Sequence, residues 1–341
     1  MYESDGVALG KTHYYGGIKK YQWTTIPLAL HGAVVLGDGS KVEVKIGEDE
    51  GDPVFYISDL LPHLSQKQNT KTLAEAFSGE DLNIWLGNIP YTAAKEDGDK
   101  TVKENLLHIL NEKYGIKEED FLSAELSLVP AFKARDIGFD RALIGAYGHD
   151  DRVCSYPAFS ALFDTETDGK TVMVVLADKE EIGSEGTTGM QCAIFTDLID
   201  AIAYSFDTTS AVIRANSKCL SADVNAAYDP NFKDVNEPMN STYVSCGAGL
   251  TKFTGARGKS GSNDASAEFM AEVRKMFNDE GVIWQTGELG KVDQGGGGTV
   301  AKYIAKMNID TVDIGVAVVS MHAPYEVISK ADVYEMYLAC K

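Results

Sequence analysis

Acidic residues and one histidine follow apolar runs at four places in the sequence, and side chains in such positions can hold metal ions. Ligands of open α/β sheets bind just beyond the carboxyl ends of strands, which is where these residues fall. They are Asp150 and Asp151 in "YGHDDRVCS", Glu180 and Glu181 in "LADKEEIGSE", Asp223 in "CLSADVNAAYDPNF" and His322 in "AVVSMHAPYE". Gathered carboxylates repel each other unless a cation neutralises them. A pair of divalent metals with oxygen and imidazole ligands would account for this set.

Each of these signals also has an ordinary structural explanation. An acidic residue after a strand is typical of a helix N-cap or a solvated loop end, because acids favour helix N-termini. A single histidine such as His322 is more often packed or hydrogen-bonded than metal-bound. The metal interpretation therefore depends on the order and context of all four places together.

The second part of the chain alternates apolar runs with amphipathic stretches, which is typical of an α/β domain. "TVMVVLAD" and "TVDIGVAVVSMHAP" are predicted to be buried strands because they are apolar on both faces. "AVIRAN" and "CLSAD" are also predicted to be strand segments. "TDLIDAIAYSF" and "DASAEFMAEVRKMFNDEG" are predicted to be helices. Glu180 and Glu181 would then stand at the end of a rigid strand.

The first part of the chain has a stronger β pattern. "TTIPLALHGAVVL", the turn "GDGS" and "KVEVKI" predict a hairpin, in which Val42, Val44 and Ile46 alternate with charged residues. "TVKENLLHILNEKYG" predicts a helix that ends at a glycine, and "AELSLVPA" predicts a strand. The polar stretch from Lys67 to Lys103 predicts loops and short helices. We expect a β-rich part joined to the α/β domain near residue 130.

The composition is that of a globular chain of 341 residues with 44% hydrophobic content. The excess of 51 acidic over 31 basic residues gives a net charge of -20, which disfavours nucleic acids and anionic membranes as partners. Five cysteines without CxxC spacing indicate neither a disulfide framework nor a zinc ribbon. No apolar run approaches the roughly 20 residues that span a bilayer. We expect a cytoplasmic protein without nucleic-acid or membrane partners.

Four motifs, in this order, resemble those of the M18 family of metallo-aminopeptidases, the aspartyl aminopeptidase family. They are "HDDRV", "KEEIGSEGTTG", "LSADVNAAYDPNF" and "SMHAPYE", while "THYYGGIKKYQW", "GEDEGDPVF" and "LPHL" resemble the family's inserted domain. The resemblance extends over almost all of the chain. It implies a three-layer α/β/α zinc-peptidase catalytic domain at 133–341, an inserted β-rich dimerisation domain at 10–132, and a remnant of the catalytic domain at 1–9.

The resemblance also implies a role for each residue of the metal site. Asp150 would bridge two divalent metal ions, Glu181 and His322 would complete one site, and Asp223 would serve the other. Glu180 would be the general base that takes a proton from the water. Zinc is the expected metal, and cobalt or manganese would also suit mixed oxygen and nitrogen ligands.

Two further residues are implied in substrate binding. Lys252 in "GAGLTKFTG" is where the family places a lysine that receives an acidic side chain, although a solvated lysine is the alternative. His63 in "LPHL" belongs to the inserted domain, which reaches a neighbouring subunit's active site in the family, and a packed loop histidine is the alternative. Asn225 and Tyr228 stand where many members carry histidines, so the preferred N-terminal residue, acidic or neutral, stays open. The implied assembly is a homo-oligomer, with dimers forming a tetrahedral dodecamer that admits peptides.

The sequence departs from the family pattern at its beginning. In the family the first metal ligand is the histidine of an HxD motif, upstream of the segment that resembles "YESDGVALGKTHYYGG", and no such motif precedes this segment here. His149 and Asp151 do spell HxD, but we do not assign His149 that role because Asp150 takes the bridging position. The Asp223 site would then lack a ligand. Truncation, cleavage into two chains and a noncatalytic assembly or scaffold protein are the three alternatives.

Overall fold

A computed structural model of the chain describes residues 1–92 and 101–341. Part of the polar stretch interpreted above, residues 93–100, lies outside the described residues. The described chain falls into two compact units, residues 1–133 and 134–341. None of its helices combines the length and the apolar character needed to cross a membrane. The division of residues 1–9 from 10–132, and the dimerisation role, stay predictions.

The first unit contains two antiparallel sheets, with strand orders β1-β2-β6-β5 and β4-β3-β7. Its strands are β1 (Tyr2–Ser4), β2 (Val7–Gly10), β3 (Leu28–Val35), β4 (Lys41–Ile46), β5 (Tyr56–Ile57), β6 (Ile84–Gly87) and β7 (Ala124–Pro130). Its helices are α1 (Leu73–Ala76) and α2 (Val102–Tyr114). The first strand, β1, therefore lies in the same sheet as β6, which comes about 80 residues later in the chain.

The local predictions for this unit are confirmed except at one strand. β3 and β4 form the predicted hairpin, and of the alternating residues of β4, Val42 is half-buried while Val44 and Ile46 are buried. α2 begins with a capping box at Thr101 and ends at Gly115, which has a φ of +72°. The prediction of only loops and short helices between Lys67 and Lys103 is wrong at β6. Tertiary packing overrides the polar surroundings there, because Ile84 joins a buried apolar cluster of this unit.

The second unit is an α/β domain. Its strands are β8 (Arg135–Ile137), β9 (Leu143–Ala146), β10 (Lys218–Ala222), β11 (Asn225–Ala226), β12 (Ala248–Thr251), β13 (Trp284–Thr286), β14 (Asp310–Gly315), β15 (Ala317–Val318) and β16 (Glu326–Ser329). Its helices are α3 (His149–Asp164), α4 (Ile194–Ser205), α5 (Ser210–Ala215), α6 (Ala267–Asp279), α7 (Ala301–Ala305) and α8 (Lys330–Cys340). The largest sheet has the order β10-β14-β12-β13, and β16, β9 and β8 form a second one.

Helices cover both faces of the largest sheet, which is the predicted three-layer arrangement. Val312 and Ile314 of β14 point to one face and pack with apolar side chains of α3, α6 and α8. A second cluster, which includes Ile199 of α4 and Ile304 of α7, packs against Cys219 of β10. Since β14 is covered on both sides, every residue after Asp310 is buried, including the polar Thr311 and Asp313. The prediction of a buried strand in "TVDIGVAVVSMHAP" is confirmed.

Two predicted strands in this unit are wrong. "TVMVVLAD" forms no strand, and its side chains are exposed, with Leu176 60% accessible. A run that is apolar on both faces becomes a buried strand only where neighbours flank it, and no strand among the described residues pairs with 171–177. "AVIRAN" forms helix α5 instead. The Thr209 side chain accepts the amide of Val212 as an N-cap, which outweighs the β-branched character of the run.

Candidate metal centre

Two adjacent aspartates follow β9 at the beginning of α3. Asp150 and Asp151 both have non-helical backbone angles, so the regular helix starts only after them. The backbone N–H of Asp150 donates to Oε2 of Glu326 over 3.0 Å. The Asp151 carboxylate accepts a hydrogen bond from Ser155, one turn further along the helix. The strand end and the helix start therefore fix the positions of both carboxylates.

The two glutamates lie on a single helical turn, Glu180–Ile182, that follows the exposed apolar run. Lys179, directly before them, has a φ of +65°, which is uncommon for a residue other than glycine. The residue before that, Asp178, is bridged to Gly189. Of the two successive glutamates on this turn, only Glu181 belongs to a group of potential ligand atoms.

Asp223 follows β10 and is drawn close to the neighbouring strand. Its backbone N–H donates to the carbonyl of Ile314 over 3.0 Å. The approach requires glycine at position 315, because a Cβ there would lie 1.7 Å from the Asp223 carbonyl oxygen. Parallel pairing of β10 with β14 thus determines where this carboxylate lies.

His322 lies in the turn between β15 and β16, in a left-handed conformation with a φ of +65°. Its backbone N–H donates to Oε1 of Glu326 over 2.7 Å. Its ring Nε2 lies 3.2 Å from Oδ2 of Asp150 and 3.5 Å from Oε1 of Glu181. A non-glycine residue held in this backbone region costs free energy, and such residues concentrate at functional sites.

The structure brings the four predicted ligands together in two groups that share Asp150. Asp150, Glu181 and His322 form one group, and Asp150, Asp151 and Asp223 form the other, with ligand atoms within 4.8 Å of one another in each. Zinc binds nitrogen and oxygen at about 2.0–2.2 Å, so the ligand atoms around one ion are about 3–3.5 Å apart. The distances at His322 fit that geometry.

Three carboxyl groups of the two groups of ligands, those of Asp151, Glu181 and Asp223, have raised pKa values. Burial, and then the neighbouring Asp150 carboxylate, raise the pKa of Asp151 to about 8. Burial also raises the pKa of Asp223 well above its ordinary value, and Asp151 and Asp150 add to that effect. Burial raises the pKa of Glu181 to about 7, although His322 opposes the shift. A divalent cation would relieve this repulsion, so the donor set fits a metal.

One buried oxygen of the second group supports the same conclusion. Oδ1 of Asp151 is buried and has no hydrogen-bond partner of ordinary geometry among the described residues, although the weakly donating thiol of Cys154 is close enough to lower the Asp151 pKa. A buried oxygen without a donor is costly, because it has lost its water without replacement. A metal ion among Asp150, Asp151 and Asp223 would satisfy it.

Glu180 lies outside both groups, although it is adjacent to one of their members. Burial and the Asp150 carboxylate raise its pKa, whereas His322 and Lys302 oppose the shift. A carboxyl with a raised pKa is a stronger base once it is ionised, as general-base catalysis near neutral pH requires.

The other predicted site residues are not members of the two groups. Lys252 follows β12, and its ammonium contacts Asp264. His63 is exposed on a short helical turn of the first unit, Pro62–Leu64. The ring of His149 lies 3.2 Å from the carbonyl of Ile144 and in neither group. The proposed roles of Lys252 and His63 stay predictions.

Sequence reasoning missed two residues of this centre. Asp151 was noted beside Asp150 but was given no role, although it belongs to the second group. Glu326, the last residue of the motif "SMHAPYE", has no role in the sequence analysis, yet it is 2% exposed and accepts the backbone amides of two candidate ligands. The available signal was an acid at the head of the apolar strand "EVIS", where an unpaired charge would be costly.

Comparison with known proteins agrees with this geometry. The family model described as aminopeptidase I zinc metalloprotease (M18) matches residues 2–341. A probable M18 family aminopeptidase 1 from Clostridium acetobutylicum is 51% identical over 98% of this chain and 72% of its own length. The namesake from Thermotoga maritima is 48% identical over 99% of this chain and 75% of its own. The chain therefore spans about three quarters of these relatives.

Solved structures show the same likeness. The crystal structure of the Thermotoga maritima aminopeptidase of the M18 family has a TM-score of 0.95 and 47% identity, covering 99% of this chain and 75% of its own. The dodecamer of Saccharomyces cerevisiae mApe1 has a TM-score of 0.73 and 21% identity, covering 99% and 74%, and shares the fold.

Proposed function

This chain belongs to the M18 family of zinc metalloproteases and is an aminopeptidase, and we propose that two divalent ions at the candidate centre serve its reaction. Asp150, Glu181 and His322 would hold one ion. Asp150 and Asp223, joined by Asp151, would hold the other. The observation that carries the proposal is the position of the Asp150 carboxylate, which is shared by both groups of ligand atoms. Zinc is the proposed metal, and cobalt or manganese would suit the same donors.

The reaction divides between the ions and the protein side chains. Bound divalent ions polarise a scissile carbonyl and lower the pKa of water towards neutrality. Glu180 takes a proton from the attacking water and delivers it to the nitrogen of the leaving amine. Since Glu180 belongs to neither group of ligand atoms, its carboxylate is free for this proton transfer while its neighbour Glu181 holds an ion.

We propose that the substrates are peptides, with an acidic N-terminal residue preferred and a neutral one accepted. Lys252 supports this preference, because its side chain is 40% exposed and already pairs with the carboxylate of Asp264. An acidic substrate side chain would take the place of Asp264 beside the ammonium. The net charge of -20 argues against nucleic acid as an alternative partner.

We also propose that the chain forms a homo-oligomer, as Saccharomyces cerevisiae mApe1 does in its dodecamer. The first unit supports this proposal. Leu60, Leu61 and Leu64, which flank His63, are all more than half exposed. Apolar side chains concentrated in one segment are typical of contacts between subunits. Light scattering coupled to gel filtration would test it, and a monomer at all concentrations would contradict it.

Hydrolysis of aminoacyl p-nitroanilides tests the main proposal. The protein, stripped with a chelator and reloaded with zinc, cobalt or manganese, should cleave aspartyl and glutamyl substrates faster than leucyl ones. Activity should disappear with the chelator and return with the metal. The absence of turnover with all three metals would favour the noncatalytic scaffold. Equal rates on all three substrates would contradict only the role proposed for Lys252 and would leave the proposed metal-dependent hydrolysis intact.

A further inference from the structure

A single buried carboxylate connects the two chain segments that carry Asp150 and His322. Glu326 accepts the backbone amide of Asp150 at Oε2 over 3.0 Å and the backbone amide of His322 at Oε1 over 2.7 Å. Glu326 is 2% exposed, so water does not compete for these bonds. Both oxygens of one side chain are therefore used to fix the backbone of two candidate ligands.

The surrounding strands hold this carboxylate in place. Glu326 begins β16 and lies opposite Ala146, the last residue of β9, shortly before Asp150. At the next position Val327 is bridged to Val319, which closes the turn that contains His322. The side chain thus lies where both ligand-bearing segments leave the sheet, and its rigidity comes from strand pairing.

We propose that Glu326 is a positioning residue that sets the distance between the Asp150 carboxylate and the His322 imidazole before any metal arrives. The inference rests on the proposed metal centre. The left-handed backbone of His322 needs such a restraint, because a residue with a φ of +65° relaxes readily when nothing holds it. Groups that orient ligands in this way affect metal affinity by about 10- to 100-fold.

The chemistry requires a carboxylate in particular. A carboxylate accepts through both oxygens, and here each oxygen faces a backbone N–H. A glutamine of the same shape would accept only one of them and would direct its own NH₂ at the other. The variant Glu326→Gln therefore removes one restraint and adds a repulsive contact with almost no change of volume.

The chain offers a matched control in Asp332 of α8. Asp332 is 0% exposed and accepts the backbone amides of Ser245 and Gly247, each over 2.7 Å. It belongs to neither group of candidate ligands. The variant Asp332→Asn should lower thermal stability in the same way as Glu326→Gln, but it should leave the metal affinity unchanged.

Titration of the metal-free protein with cobalt, followed by visible absorption, separates these outcomes. Glu326→Gln should bind cobalt about 10- to 100-fold more weakly and show an altered absorption band, whereas Asp332→Asn should match the wild type. Equal cobalt affinity in Glu326→Gln and the wild type would overturn the inference. If the wild type itself binds no cobalt, the proposed metal centre fails instead.

Hydrogen exchange in the wild-type protein tests the same idea without a variant, in case Glu326→Gln does not fold. The backbone amides of Asp150 and His322 should already exchange slowly in the metal-free protein, because Glu326 holds them in advance. Rapid exchange that slows only after cobalt binds would mean that the metal, not Glu326, orders these segments.

Discussion

Nε2 of His322 lies 3.2 Å from Oδ2 of Asp150, and the same Asp150 belongs to a second group with Asp151 and Asp223. One carboxylate between two sets of ligands makes the two proposed ions interdependent. Asp150→Ala should abolish binding at both sites, whereas Glu181→Ala should abolish it only on the His322 side. Zinc content after dialysis, measured by atomic emission, checks this. Retention of both ions by Asp150→Ala would mean that the carboxylate does not bridge them.

Glu180 should be separable from metal binding, although it is adjacent to Glu181. Because Glu180 is in neither group of ligand atoms, Glu180→Gln should keep the wild-type zinc affinity. Its kcat should fall by about 10² to 10⁴, since the proton acceptor is lost. Glu185→Gln is the matched control, because Glu185 is an exposed acid in the same segment. A comparable loss in the control, or a loss of zinc in Glu180→Gln, would argue against the general-base role.

Local patterns predicted the elements whose determinants are local. The hairpin of β3 and β4 follows from the alternation of apolar and charged residues, and α2 follows from its cap at Thr101 and its terminal Gly115. The convergence of Asp150, Glu181, Asp223 and His322 could be predicted because their motifs resemble a family. The strand-end argument applies to Asp150 and Asp223, which follow β9 and β10, but it fails for Glu181, because the run 171–177 before it forms no strand.

Other features depend on partners that are distant in sequence, and local patterns cannot show these. The run "TVMVVLAD" has the composition of a buried strand, yet among the described residues it has no strand neighbour and stays exposed. The role of Glu326 depends on amides at Asp150 and His322, which no spacing rule connects to it. The sequence does not show the role of Asp151, because Asp151 joins a ligand group only through Asp223, which follows a different strand, β10.

Metal binding should release protons, and the metal-free protein should lose stability as the pH rises. Asp151 has a pKa of about 8 and Glu181 of about 7 in the folded chain, above their ordinary values of 3.8 and 4.5. At pH values between the ordinary and the raised pKa of each group, the folded chain holds more protons than the unfolded chain. The free energy of unfolding therefore falls from about pH 4 to about pH 8.

Urea denaturation of the metal-free protein at pH 5, 6.5 and 8 measures this slope, and Asp151→Asn should flatten it. Calorimetric titration with zinc at pH 6.5, in two buffers of different ionisation enthalpy, measures the released protons. Identical heats in both buffers would mean that the ligands are already ionised, and the high pKa values would be wrong.

Asp313 provides a pH effect away from the metal centre. It lies in β14 at 4% exposure, where Oδ1 accepts the Thr299 hydroxyl over 2.7 Å. Burial raises its pKa from 3.8 to about 6, although the hydroxyls of Thr299 and the nearby Ser221 lower it. The folded chain retains this proton longer than the unfolded chain. Asp313 therefore does not destabilise the folded chain below about pH 4. As the pH rises above 4, it lowers the free energy of unfolding by an increasing amount.

Asp313→Asn should consequently stabilise the protein at pH 8 by about 1–3 kcal/mol and change little at pH 4, because the amide keeps an acceptor for Thr299 but carries no charge. Thermal unfolding at both pH values measures the difference. Asp310→Asn, at the exposed start of the same strand, should have little effect at either pH. A loss of stability in Asp313→Asn at pH 8 would contradict this prediction. It would mean that a cationic or hydrogen-bond donor partner offsets the desolvation of the ionised Asp313 carboxylate.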